Sequence, residues 1–308
     1  MFRQLTRDTV TLVALASLLW LAGLKVVRNE SQAEPRAGKS KKTKEICITF
    51  DQLPATGSFI ETDGRIILEQ ILAALKKHEV RAAGFVVAGE IGEDFDLIGK
   101  WLNDGHVLGN LTYSNQDLTD VGADPFIRDM IKGDKALEPM LSGFGQKRRY
   151  FRYPFLRYGT TVSGRRAVDT YLEDHDIALA HATVLVEDYL HNLSFEQLGP
   201  DPDSAKYDKI LNEYVNHVLD RVEQAEALSM EVLKRPCRQI LQLRANALNA
   251  AFLNIILAGL EDMGYSFISL DSALADDLYG APEAYYGLRG VGYIEMIRDS
   301  EPDLMPAQ

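Results

Sequence analysis

The chain has 308 residues, 46% of them hydrophobic, enough to bury a sizeable core without disulfide or metal staples. Its formal net charge is −12; residues 1–44 hold nine Lys and Arg against three acids, which leaves 24 bases against 42 acids beyond them, a net of −18. A domain that acidic lacks the basic footprint a phosphate backbone requires, so no nucleic acid is expected among its partners.

The N-terminus reads as an export segment. Arg3 and Arg7 give it a positive start, and residues 9–24 (TVTLVALASLLWLAGL) carry no charge. That run is long for the apolar part of a signal peptide and short for a spanning helix. Both readings stand over residues 1–27: a cleaved signal or an uncleaved anchor with the rest of the chain outside. Residues 28–44 are polar and charged, with the composition of a tether. The membrane enters only through this N-terminal part. Cys47 and Cys237 are the only cysteines and no Cys-x-x-Cys exists. Two buried thiols are expected, and a disulfide between them is the alternative in an oxidising compartment.

From residue 45 onward, short apolar runs alternate with helical patterns. Strands are predicted over 46–50, 83–87, 107–109, 150–152, 177–180, 183–186, 239–243 and 266–270. Helices are predicted over 65–77, 96–103, 125–141, 162–174, 210–234 and 248–263, with Ile66, Ile67, Ile71, Leu72 and Leu75 on one face of the first. Asp271 or Ser272 is the expected cap of a last short helix. The alternation indicates a parallel α/β sheet, and this many units in so short a chain favours a single irregular barrel of about seven strands over residues 45–308. No glycine-rich nucleotide loop is present. In such a barrel, chemistry belongs at the C-terminal strand ends, which directs attention to Asp51, residues 110–115, 152–154, 185–188 and Arg244.

The residues at those ends resemble, in order, the motifs of the polysaccharide deacetylase (NodB-homology) family. Ile48-Thr49-Phe50-Asp51-Gln52-Leu53-Pro54 resembles the first motif, Thr-Phe-Asp-Asp with a following Pro. Gly105-His106-Val107-Leu108-Gly109-Asn110-Leu111-Thr112-Tyr113-Ser114-Asn115 resembles the second, Gly-His-Glu-Ile-Gly-Asn-His-Thr-Tyr-Ser-His. Phe151-Arg152-Tyr153-Pro154-Phe155 resembles the third, residues 183–189 the fourth (Asp-x-x-Asp-Trp), and residues 240–246 the fifth, which normally ends Leu-His.

The resemblance implies a glycoside hydrolase–deacetylase type barrel and a hydrolase acting on carbon–nitrogen bonds other than peptide bonds, using a divalent metal such as zinc. It makes Asp51 the catalytic base and Arg152 its orienting partner, with Asp188 the second acid of the fourth motif. The same correspondence puts Gln52, Leu111 and Asn115 where the metal ligands belong and Arg244 where the general acid belongs. Gln and Asn are weak neutral ligands, Leu is none, and a guanidinium does not release its proton near neutral pH. A chain so altered is expected to bind no cofactor and to be a pseudo-deacetylase of the cell envelope, with a glycan or a protein as partner. The alternatives are an active hydrolase with a degenerate mechanism, a metal site rebuilt from His181, His191 and His217, or a regulatory partner of an active relative. Tyr113, Tyr153, Pro154 and Tyr189, with Phe155 and Tyr158, are the expected walls of a sugar-binding cleft. His106 is expected to be a strand-end histidine satisfied by hydrogen bonds. Arg244 is expected to meet Asp51 directly or through water, replacing some of the positive charge a metal would have supplied.

Overall fold

The computed structural model describes residues 44–55, 64–92, 94–147, 149–199 and 203–304. The expectations for the export segment, and all but the last residue of the tether, lie outside these residues. Lys44, assigned to the tether, already begins a strand. No helix among the described residues is long and apolar enough to cross a membrane.

Strand β1, Lys44–Leu53, organises the sheet. Its side chains alternate: Ile46, Ile48 and Phe50 join the apolar layer beneath the helices, whereas Cys47 joins a second cluster with Phe85, Phe151 and Ile240. Successive strand residues face opposite sides, so Thr49 and Asp51 continue the row begun by Cys47. Burial of both faces is why this strand reads as a nearly unbroken apolar run. The parallel strands β2 (Ala83–Val86), β3 (Val107–Asn110), β4 (Arg149–Phe151), β5 (Ile177–Leu179), β6 (Val184–Leu185), β7 (Gln239–Arg244) and β8 (Tyr265–Phe267) complete the sheet. Their order is β5-β4-β3-β2-β1-β7-β6, and the short β8 pairs with the first residues of β1. The two ends of this path, β5 and β6, are consecutive in sequence. The four residues between them span the gap: Ala180 N donates to Phe151 O (2.7 Å) and Thr183 N to Ile240 O (3.0 Å). The chain itself thus closes the ring where no ladder is formed among the described residues.

Helix α1 (Gly64–Lys77) follows β1, and α2 (Phe95–Asn103) carries Trp101, fully buried against Phe50. On α1 the buried stripe is Ile67, Leu68, Ile71, Leu72 and Leu75; Ile66 is 49% exposed, one position off the face expected for it. The short α3 (Leu118–Val121) and the long α4 (Ala123–Gly143) follow β3, and α5 (Val162–Asp174) follows β4. A helix not anticipated from the sequence, α6 (Asp188–Glu196), begins directly after β6. Helix α7 (Ser204–Val232) starts six residues before the expected 210, because the Asp203 side chain caps it by accepting from Ala205 N. Helix α8 (Ala247–Asp262) is capped by Asn246, which accepts from Asn249 N. The next helix, α9 (Leu270–Leu274), is capped by Ser269, so Asp271 and Ser272 lie inside it and the final strand ends earlier than expected. The last helix is α10 (Tyr293–Arg298).

Both cysteines are free thiols, so the disulfide alternative is not realised. Cys47 sits in the barrel core and Cys237 at its edge, and burial pushes both up to about 12.

The C-terminal segment lies across the closing residues. Tyr293 N donates to Ala182 O (2.8 Å), and Val291, Tyr293 and Ile294 pack into the barrel cluster. At Gly290 a Cβ would come within 2.0 Å of Phe155 O, a backbone atom. Gly290→Ala must therefore lift this segment and is expected to destabilise the fold by about 1–3 kcal/mol, a typical cost of overpacking. The urea midpoint measures it; an unchanged midpoint would show that the segment is loosely held.

Candidate functional site

Asp51, residues 110–115 and 152–154, Asp188 and Arg244 fall at or just past the C-terminal ends of the strands, and buried charge gathers there. Arg152, just past β4, is fully buried. Its Nη1 donates to Asp51 Oδ1 (2.7 Å) and to Thr49 Oγ1 (2.8 Å), its Nε to Ala180 O (3.1 Å) and its Nη2 to His181 O (3.3 Å). Its guanidinium lies 4.0 Å over the Phe85 ring. One side chain thus joins β1, β2, β4 and the closing segment. Asp51 is 3% exposed, and its second oxygen accepts from Gln242 Nε2 (2.9 Å). The pairing of Asp51 with Arg152 is as the motifs implied. Gln242 and Thr49 were not singled out from the sequence; their signal was a polar residue at an inward position of an apolar strand.

The second charged group is Asp188, 1% exposed at the start of α6. Arg244 Nη1 donates to its Oδ1 (2.6 Å); Arg244 N and Asn249 Nδ2 donate to its Oδ2 (2.6 and 2.7 Å). Asn249 in turn accepts from Tyr214 OH. Asp51 and Arg244 are partners in the β1–β7 register, yet the direct contact expected between them is not formed. Asp188 takes the Arg244 head, and Asp51 is already met by Arg152 and Gln242. The role of Asn249 carried no sequence signal, because an asparagine in a helix's first turn reads as surface.

The metal positions hold no matching donor set. Gln52 is half-buried and stands as the extra residue of a bulge, with Asp51 opposite Phe85 and Leu53 opposite Val86. Leu111 is buried in the apolar barrel cluster. Asn115 is half-buried, and its Oδ1 is buried with no hydrogen-bond partner, as is Thr112 Oγ1. Among the described residues no three of His, Cys, Asp and Glu come together in a way that could hold a metal ion. The three histidines proposed for a rebuilt site are dispersed. His181 stacks on Tyr293 (3.8 Å) and shares a hydrogen bond with Tyr158, whereas His191 and His217 face each other 4.9 Å apart and His217 Nε2 bonds Val186 O. The chain's donors do not fit the family's metal.

The backbone keeps an unusual geometry at these loops. Six of the nine non-glycine residues with positive φ among the described residues are Gln52, Thr112, Asn115, Phe155, Leu156 and Glu187, all at strand ends. For a β-branched residue such as Thr112 this conformation is costly and persists only where the surroundings impose it. They do: Ala88 N donates to Thr112 O and Gly89 N to Tyr113 O, while Asp129 accepts from Ser114 N and Oγ.

Of the expected cleft aromatics, Tyr189 (48% exposed) and Phe155 (43%) face outward and Tyr113 is half-buried. Tyr153, Pro154 and Tyr158 are buried: the Tyr153 hydroxyl donates to Asp169, and its ring packs on Phe126 and Phe151. They belong to the packing beneath the loops and present no face to solvent.

These features define a parallel α/β barrel with strand-end loops built around two buried ion pairs. The polysaccharide deacetylase family model matches residues 38–171, a little under half of the chain. Asp188 and Arg244 lie beyond the matched stretch. A peptidoglycan-N-acetylglucosamine deacetylase of Bacillus cereus is 34% identical over 112 residues, 36% of this chain and 36% of that protein. A chitin deacetylase of Arthroderma benhamiae is 30% identical over 124 residues, 39% of this chain and 31% of that protein. The matched stretch therefore spans about a third of these relatives' length. Among solved structures, a peptidoglycan N-acetylglucosamine deacetylase superposes with a TM-score of 0.52 at 18% identity, covering 75% of this chain and 88% of that one. A mutant of a carbohydrate esterase (CE4) family pseudoenzyme from Bacillus anthracis also gives 0.52, at 17% identity, covering 76% and 68%. Both show the shared fold.

Two expected outcomes follow from this geometry. Arg152→Met leaves Asp51 buried without its counter-charge and should cost about 3–5 kcal/mol in urea unfolding; a loss below 1 kcal/mol would mean the pair is dispensable. The second concerns acid. Burial, with Arg165 and Arg152 nearby, holds His181 well below its ordinary value, and burial lowers His106 to about 4. His106 Nδ1 accepts from Ala82 N, a bond that only the neutral ring can make. Below pH 6.5 the unfolded chain therefore binds protons that the folded chain refuses, so stability falls with acid by about 1.4 kcal/mol per pH unit for each ring. His106→Gln should remove one such increment between pH 6 and 5; equal acid sensitivity of the two proteins would contradict it.

Proposed function

We propose that this chain is a polysaccharide-deacetylase barrel of the cell envelope that binds glycan and does not carry out the family's metal-dependent hydrolysis. The observation that carries the reading is Leu111. Where the family has a metal-binding imidazole, this chain has an apolar side chain sealed into the barrel core. Gln52 and Asn115 add only neutral oxygens, and borderline divalent metals are poorly held by such a set. Arg244 is fixed to Asp188 and keeps its proton, so it cannot protonate a leaving amine. Asp51 has both oxygens occupied and little contact with solvent, whereas a general base must reach the water it activates.

The same fold is found both in a deacetylase and in a mutant of a pseudoenzyme, so the architecture is compatible with either state. The relatives' names point to peptidoglycan and chitin as the substrates of those proteins, and a related wall glycan is the ligand class we assign here. The export segment, cleaved or retained as an anchor, would place the barrel outside the membrane, where such polymers lie. A second reading, an active hydrolase, is favoured by one observation: the intact Asp51–Arg152 pair.

Acetate release from an N-acetylglucosamine oligosaccharide with added zinc separates the two. The natural chain should release none, and a chain carrying Gln52→Asp, Leu111→His, Asn115→His and Arg244→His together should release it in a zinc-dependent way. Acetate release by the natural chain at the rate of the restored one would overturn the proposal.

A further inference from the structure

The barrel is acidic, with a net charge of −18 over residues 45–308, yet the groups that face outward at its strand ends include a distinct set of cations. Three aromatic residues from three different loops each carry one over the ring. Lys132 Nζ lies 3.5 Å from the Tyr113 centroid, the Arg157 guanidinium 5.7 Å from Phe155 and the Arg244 guanidinium 5.1 Å from Tyr189. Tyr113 follows β3, Phe155 follows β4 and Tyr189 follows β6, so the parallel topology brings all three to one end of the barrel.

Acids are present at the same end, and their depth decides what a ligand meets. Asp117 takes Arg157 Nη1 (2.8 Å) and Asp188 takes Arg244 Nη1, but the two carboxylate side chains are only 4% and 1% exposed. The arginines above them are 44% and 17% exposed. Asp129 is engaged by Ser114, and the exposed acids nearby include Glu90, Asp120 and Glu187. The carboxylates thus lie underneath and hold the guanidinium groups in place, with further N–H donors on each fork. The arrangement offers flat apolar faces for a sugar ring beside planar cationic forks.

Resting on the glycan-binding reading above, we propose that the strand-end surface is selective for an acidic glycan, one whose sugars carry a carboxylate, over a neutral N-acetylated one. The aromatic faces of Phe155 and Tyr189 take pyranose rings, and Arg244, Arg157 and Lys132 take the ring-borne carboxylates. Aromatic faces favour a carboxylate on a ring over the phosphate of an open-chain polyol polymer.

The test is calorimetric titration of the full chain with a galacturonic acid tetrasaccharide, an N-acetylglucosamine tetrasaccharide and poly(glycerol phosphate). The uronide should bind about tenfold tighter than the neutral sugar and weaken with added salt. Lys132→Gln alters an exposed side chain and should lower uronide affinity roughly two- to fivefold with the unfolding midpoint unchanged. Arg244→Gln should lower it further, read beside its own unfolding midpoint because Asp188 loses a partner. Equal or tighter binding of the neutral sugar would overturn the acidic selectivity and leave glycan binding standing. Binding of none of the three would overturn both. Tighter binding of poly(glycerol phosphate) than of the uronide would overturn the assignment to carboxylated sugars.

Discussion

The buried guanidinium of Arg152 is what the strand ends depend on. A charge that deep is tolerated only when it is paired and hydrogen-bonded. Asp51 supplies the pairing, and Thr49, Ala180 and His181 supply the acceptors. Because those acceptors sit on β1 and on the residues that close the ring, satisfying one side chain also fixes how the barrel closes. Gln242 from β7 completes Asp51, so strands on both sides of β1 are tied to the same carboxylate. The motif resemblance implies a base at this position. In this chain Arg152 and Gln242 give the carboxylate a structural role.

The Asp188–Arg244 pair plays a similar part on the opposite side of β1. It anchors the first turn of α6 to the end of β7, and through Asn249 and Tyr214 it reaches α8 and α7. Arg244 therefore has a role in packing as well as in charge. With both carboxylates compensated from within the protein, the strand ends need no dication to balance them.

Much of this was legible in the sequence. The alternation of apolar runs and helical patterns indicated the parallel barrel and nearly every strand, because the central strands β1, β2 and β7 are buried on both faces and carry apolar runs. The motif loops were legible as well, and with them the Asp51–Arg152 pair. What escaped were features set by three-dimensional competition. Nothing in the sequence says that Arg244 prefers Asp188 to its register partner Asp51, since that choice depends on Arg152 and Gln242 already being there. Tyr153 and Pro154 look like cleft walls in the motif, but the left-handed turn at Phe155 and Leu156 sends Phe155 outward and leaves its neighbours in the core. Helix α6 was missed because its apolar residues Tyr189, Leu190 and Leu193 face solvent and so lack the pattern of a buried stripe.

The strand-end loops hold a strained backbone around positions occupied by Gln52, Leu111 and Asn115. Strain of that kind persists only when neighbours impose it, and here the contacts of Asp129, Gly89 and Ala88 do so without any metal. The measurement that decides the matter is a calorimetric titration of the full chain with zinc and cobalt. Affinity no tighter than millimolar is the result expected of Gln52, Leu111 and Asn115. Binding at micromolar concentration or tighter would contradict it, and would mean that other side chains assemble a metal site in this barrel.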